Sequence, residues 1–195
     1  MKELFEKYGS LVGLSDSEKK AIEGMQTKPV AIGAGLTLTE EESHGSDNLY
    51  VVRSGRLFSS QDLASGDRAI TRLYFSGDVI GTANVPFNIA VQTVTASVES
   101  TLYRFEREKL ADTFFHHPRV AAMFYTFAAL ENAILQDRLV SVGRTSGLSR
   151  IAAIIMEIAT RRELTGANIA EPFELKLKQA EIGDAVGLTH IHVNR

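Results

Sequence analysis

Cysteine is missing from all 195 residues. That excludes disulfides, thiolate zinc sites, Cys-ligated iron–sulfur clusters and thiol redox sensing within this chain. Haem stays open, because histidine can ligate iron. Proline is scarce, with 4 residues against 15 glycines. No apolar run approaches the roughly 18 residues of a membrane span. The start, MKELFEKYGS, is charged and has neither an apolar signal core nor a small-residue cleavage site. These absences predict a soluble cytoplasmic protein with no membrane partner. A basic excess is lacking too. The net charge is −3, whereas nucleic-acid binders are often basic. The imbalance is regional. Residues 1–107 carry 11 Lys+Arg against 14 Asp+Glu, and residues 108–195 carry 10 against 10. The acidic surplus lies wholly in the first part, so the two parts can serve different partners.

What is present changes style along the chain. Residues 1–24 read as short helices. Ser15-Asp16-Ser17-Glu18 fits a capping box, in which a serine and the glutamate three residues on satisfy each other's free backbone N–H groups. Leu4, Phe5, Leu11, Leu14, Ala21 and Ile22 are available to pack on the segment C-terminal to them. From 28 to 106, short apolar stretches alternate with turn residues. Examples are Leu49-Tyr50-Val51-Val52 before Ser54-Gly55, Ala69 to Phe75 before Ser76-Gly77-Asp78, and the run Val91 to Val98. This spacing predicts a β-sandwich or barrel. Thr39 to Asn48 is a polar, acidic loop.

Residues 107–163 read as helical. Pro118 suits a first helical position. Val120, Met123, Phe127, Leu130 and Ile134 then step by 3, 4, 3, 4, the pattern of an a/d seam. A second stripe, Ala121, Phe124, Ala128 and Leu135, could serve the chain's own domain. The expectation is therefore a homodimer joined through the first stripe. Gly143 is expected to break this helix. Leu148, Ile151, Ile154, Ile155 and Ile158 define the next, ending near Arg161-Arg162. Phe173-Glu174-Leu175-Lys176-Leu177 reads as a short strand.

The segment from Gln179 to Arg195 carries a helix-turn-helix pattern. Ile182 and Val186 lie one turn apart on the first helix. Gly183 is small where a second helix would cross. Gly187 occupies the turn, Leu188 plugs the corner, Thr189 caps the second helix and Val193 packs it back. In such a motif the second helix enters the major groove. Thr189 would touch phosphate, and His190, Ile191, Asn194 and Arg195 would face base edges. Arg195 is the residue type that reads guanine bidentately. Gln179, at a helix N-terminus, is a further phosphate contact. Arg144 and Arg150 are either phosphate contacts or plain surface charge.

The order of segments resembles the Crp/Fnr family of bacterial transcription regulators. The specific stretches are Leu49-Tyr50-Val51-Val52-Arg53-Ser54-Gly55, Ser76-Gly77-Asp78-Val79-Ile80-Gly81, Leu148-Ser149-Arg150-Ile151-Ala152 and the helix-turn-helix. The resemblance implies an α+β chain with three parts: N-terminal helices and a β-roll (double-stranded jelly roll) sensor domain over 1–117, a dimerisation helix over 118–143, and a winged helix-turn-helix over 144–195. It further implies a homodimer that activates or represses from a near-palindromic operator in double-stranded DNA, with RNA polymerase as a partner. By the same resemblance the effector pocket would draw on Gly77, Asp78, Gly81, Thr82, Val91 and Gln92.

Three departures modify that picture. Cyclic-nucleotide members hold the phosphate with a Gly-Glu pair and a later Arg, but here Thr82 follows Gly81 and no Arg stands between Arg72 and Arg104. A buried phosphate without its cation is strongly disfavoured, so cAMP is not the expected effector. The N-terminal cysteines of the iron–sulfur members are missing. Ile191 replaces the familiar recognition-helix Glu, so the operator need not share their consensus. The family also continues past the position of Arg195 to finish the recognition helix and wing, which implies an incomplete DNA-binding domain here.

No arrangement for nucleophilic catalysis, no phosphate-cradling glycine loop and no metalloenzyme spacing occurs, and an enzyme is not expected. His190 and His192, two apart on a helix, diverge and cannot readily chelate one metal. His116-His117 read as surface or cap residues, although some family members bind haem thereabouts. The competing reading is a β-roll dimer that binds an effector or a protein without DNA, a class with no use for a helix-turn-helix.

Overall fold

Two amphipathic helices, α1 (Lys2–Val12) and α2 (Asp16–Gly24), lead the chain in a computed structural model. It describes residues 1–43, 48–87, 89–163 and 171–193, without the side chains of 9–11, 162, 190 and 191. The expected capping box starts α2. The Ser15 backbone N–H donates to the Glu18 carboxylate at 2.7 Å, and Ser15 Oγ accepts from the Glu18 N–H at 3.4 Å.

Eight strands follow: β1 (Val30–Ile32), β2 (Thr37–Thr39), β3 (Asn48–Ser54), β4 (Leu57–Asp62), β5 (Arg68–Tyr74), β6 (Val79–Ile80), β7 (Thr93–Ala96) and β8 (Ser100–Glu106). They form two four-stranded sheets, β1-β8-β3-β6 and β2-β7-β4-β5. The strongly alternating members, β3 and β8, pair antiparallel from Asn48↔Glu106 to Ser54↔Thr101, with a register shift between Val52 and Ser54. Val52, Leu57, Ile80, Val94, Ala96 and Leu102 are buried together as one cluster. The other faces of β3, β6 and β8 carry Leu49, Val51, Val79 and Phe105, which join a second cluster with the helices. This is the expected β-roll.

Helix α3 (Glu108–His116) leads into α4 (Pro118–Arg144). Val120 and Met123 are fully buried and Phe127 is 3% exposed, all in the cluster with Leu4, Tyr8, Ile22 and Met25. The Tyr8 and Phe127 rings meet edge-on at 4.5 Å. Burying each such side chain is worth about 1.5–3 kcal/mol.

The chain divides into two compact units, 1–59 with 73–133 and 60–72 with 134–195. The second unit holds the end of α4, then α5 (Gly147–Glu163), α6 (Gln179–Val186) and α7 (His190–Val193). Two local expectations are corrected here. Gly143 does not break the helix but lies inside it. The break comes at Thr145-Ser146, where Ser146 Oγ accepts the Ser149 N–H at 3.2 Å and so starts α5. Residues 173–177 form no strand, because Lys176 adopts φ 51°, a left-handed conformation that interrupts an extended run.

Candidate nucleic-acid interface and effector pocket

The turn between α6 and α7 has the geometry that its sequence demands. Gly187 takes φ 66° and ψ 42° and closes α6 by donating its N–H to the Gly183 carbonyl. The Leu188 N–H donates to the same carbonyl at 3.0 Å, which is a left-handed cap suited to glycine. Ile182, Ala185 and Val186 are buried, as the one-turn spacing predicts. Leu188 packs on α5: a Cβ added to Gly147 would stand 3.0 Å from a Leu188 methyl. Glu181 secures the start of α6 by accepting the Lys178 N–H at 2.9 Å.

Gln179 and Thr189 are exposed and open to a partner. The Thr189 carbonyl accepts the His192 and Val193 N–H groups at 2.9 and 3.2 Å. Its hydroxyl meets His192 Nδ1 at 2.9 Å rather than a backbone N–H. His190 and Ile191 lie on α7, but their side chains, like Asn194 and Arg195 altogether, fall outside the described residues.

Two arginine contacts escape sequence reading. Arg150 is hydrogen-bonded to helix ends within its own unit. Its Nε and Nη2 donate to the Thr145 carbonyl at 3.2 and 3.1 Å, and its Nη1 donates to Val186 at 3.1 Å. It thus ties the exit of α4 to the exit of α6, where helix carbonyls carry partial negative charge. Arg68 holds Asp184 of α6 through Nε at 2.9 Å and Nη2 at 2.7 Å. Neither pairing has a signal in local spacing.

The expected dimer seam needs correction. Val120, Met123 and Phe127 are consumed by the chain's own core and present nothing to a second copy. Leu130, at 38% exposure, and the half-buried Ile134 continue that stripe beyond the core. Phe124, assigned by periodicity to the other stripe, also packs inward, with its ring 5.3 Å from that of Phe127. Three exposed apolar residues of α4 follow another heptad line, while Val140 and Val142, also exposed, lie off it. Tyr125, Leu135 and Leu139 are 77%, 44% and 74% exposed, with Ala128 and Asn132 between them at steps of 3, 4, 3, 4. At about 100° per residue this line lies well round the helix from Val120, Met123 and Phe127.

The expected effector pocket is only partly available. Asp78 is 1% exposed, and both carboxylate oxygens are engaged. Oδ2 accepts the Phe75 N–H at 2.8 Å, and Oδ1 accepts the Tyr8 hydroxyl at 3.3 Å and the Lys7 ammonium. Gly77 lies under α1, since a Cβ there would come within 2.8 Å of the Glu3 carbonyl oxygen. These two residues anchor the N-terminal helix. Gly81 closes on the Asn48 carbonyl, 3.0 Å from where a Cβ would sit. Thr82, Val91 and Gln92 remain half-buried. The Thr82 hydroxyl donates to the carboxylate of Glu131 on α4, and the Val91 N–H donates to Asn84 at 3.1 Å. A carboxylate therefore stands beside this loop. Arg72, the nearest arginine before that loop in sequence, is buried with its charge close to Arg138.

His116 and His117 line a cavity of about 480 Å³ with residues of α2 and α3, and His116 Nδ1 lies 3.0 Å from the Asp112 carbonyl. Among the described residues no cluster of three His, Asp or Glu is placed to hold a metal. Nor, among them, is any helix long and apolar enough to cross a membrane.

Residues 29–117 match the cyclic nucleotide-binding domain family. This span starts just before β1 and ends one residue before α4. Relatives extend the similarity across α4 and into the helix-turn-helix. The transcriptional regulatory protein btr of Bordetella pertussis is 24% identical over 94% of this chain and 75% of its own length. The chain is thus similar over most of its length to regulators of the Crp/Fnr type. The nitrogen fixation regulation protein FixK of Azorhizobium caulinodans is 25% identical over 77% of this chain and 60% of its own length. The structure of FixK2 from Bradyrhizobium japonicum superposes with a TM-score of 0.77 over 87% of this chain and 81% of that one, at 22% identity. The likeness shows a shared fold over most of the described chain.

Proposed function

We propose that this chain is a DNA-binding transcription regulator of the Crp/Fnr type that reads a near-palindromic operator as a homodimer. The observation that carries this reading is the turn at Gly187. A buried α6, a left-handed cap and a second helix starting at once place Gln179 and Thr189 at an open surface, as groove entry requires. Thr189 and Gln179 supply phosphate contacts. His190, Ile191, Asn194 and Arg195 read base edges, and RNA polymerase is the further partner that the family implies. The dimer forms through the Tyr125-Leu135-Leu139 line of α4, the exposed apolar face of that helix.

The β-roll answers an effector other than cAMP. With no arginine between Arg72 and Arg104, the loop that begins at Thr82 lacks the cation that a buried phosphate needs. Calorimetry with cAMP or cGMP should be flat, and micromolar heat would refute this assignment.

An electrophoretic shift of the full-length protein on the upstream region of its own gene tests the reading as a whole. A sequence-specific complex is expected. A dimer that shifts no DNA would favour a β-roll interaction module instead. Arg195→Ala should cost about 1–3 kcal/mol at the operator and relax preference at one base pair per half-site. Equal weakening on every sequence would make Arg195 a phosphate contact.

A further inference from the structure

The second unit contains a cavity of about 330 Å³ lined by the C-terminal half of α4, α5 and α6. Its apolar wall includes Ile134, Ile154 and Val186, and its charged wall holds Arg138, Arg150 and Arg161 against Asp137 and Glu157. The side chain of Arg138 is 16% exposed. Its Nη1 donates to the Ile70 carbonyl at 3.2 Å, and its Nη2 reaches Glu157 only at 3.5 Å, the outer edge of a hydrogen bond. A guanidinium has five donors, more than these two acceptors use. Burial, and the neighbouring charge of Arg72, weaken its hold on the proton, while Glu157 opposes them. A partly desolvated cation with one distant carboxylate gains most from a second anion.

We propose that this cavity binds a small amphipathic monoanion, a carboxylate or sulfonate carried on an apolar body, with Arg138 as its charge partner. The volume suits one small organic molecule, since ligand sites run from about 300 to 1,000 Å³. One guanidinium with donors to spare, Arg138, favours a monoanion over a phosphate dianion. The apolar wall favours a body of aromatic or alkyl groups over a bare inorganic ion.

Two fluorescent probes test this on the full chain. 8-Anilinonaphthalene-1-sulfonate is an aromatic body with a sulfonate, and N-phenyl-1-naphthylamine is the same body without it. The sulfonate probe should bind one site per chain, and the neutral probe should bind at least about tenfold more weakly. Arg138→Gln should weaken the sulfonate probe by about tenfold and leave the neutral one unmoved, while Glu157→Gln should tighten the sulfonate probe. Ala153→Trp, which fills the mouth, should abolish the site. Circular dichroism checks each variant's fold. If Arg138→Gln does not fold, Glu157→Gln and Ala153→Trp decide the question. Equal affinity for both probes, or sulfonate binding that survives Ala153→Trp, would mean adsorption to the exposed face of α4 and would overturn the proposal.

Discussion

The two halves of α4 share one helix and similar composition but differ in what covers them. In the first half, Val120, Met123 and Phe127 sit at or near zero exposure among α1, α2 and the roll. In the second, Leu135 and Leu139 stand 44% and 74% exposed. Apolar side chains along one helix therefore do two jobs. The first half contributes to the stability of the fold. The second offers a contiguous apolar line that an isolated chain would leave in water, the mark of a contact surface.

Substitutions that separate these jobs should differ in size and kind. Phe127→Ala removes a ring from the core and should cost about 3–5 kcal/mol of stability. Urea unfolding measures this, and the surviving folded fraction should keep its oligomeric state. A monomer of unchanged stability would show that Phe127 lies at the interface after all. Next in size is Arg150→Met, which strips hydrogen bonds from Thr145 and Val186 at the ends of α4 and α6. A loss of about 1–3 kcal/mol is expected, concentrated in the second unit. Amide exchange should accelerate in α6 and not in β3 or β8.

Leu139→Asp should leave subunit stability within about 0.5 kcal/mol, as for other surface changes, yet halve the mass seen by sedimentation. An unchanged mass would place the dimer contact elsewhere. The smallest effect concerns α2, which packs against the buried half of α4. Hydrogen bonds from the Ser15 backbone and hydroxyl, helped by the charge of Arg119, hold the Glu18 carboxyl below its ordinary range. A depressed folded-state pKa means that its contribution is present above the unfolded glutamate range and is lost as the pH falls through the folded value. Glu18→Gln should therefore lower stability slightly at neutral pH and flatten the acid limb of a stability-versus-pH curve, the two proteins converging at low pH.

Features set by neighbours in sequence were legible. The Ser15 box, the Gly187 turn and the buried pair Ile182 and Val186 each depend on residues within one helical turn. The strands of the roll were readable from alternation and glycine punctuation. Periodicity found two stripes on α4 but could not say which faced inward, because both are apolar, and the choice rests on α1 and α2 arriving from more than 100 residues away. Asp78 illustrates the same limit. Its place beside Gly77 suggested a ligand loop, but Lys7 and Tyr8 claim it from the opposite end of the roll's sequence. Glu131 was invisible as a pocket residue because its partner Thr82 stands 49 positions earlier. The false strand at 173–177 had good β-formers, and a single left-handed residue, Lys176, undid it.

The most direct test of the central claim is to select bound sites from a random DNA pool with the full-length protein and weigh the resulting complex. The predicted result is one enriched, near-palindromic site whose half-sites are centred about one helical turn apart, roughly 10 base pairs, with two chains on each duplex. Failure of any sequence to enrich, or a single chain on an asymmetric site, would contradict it.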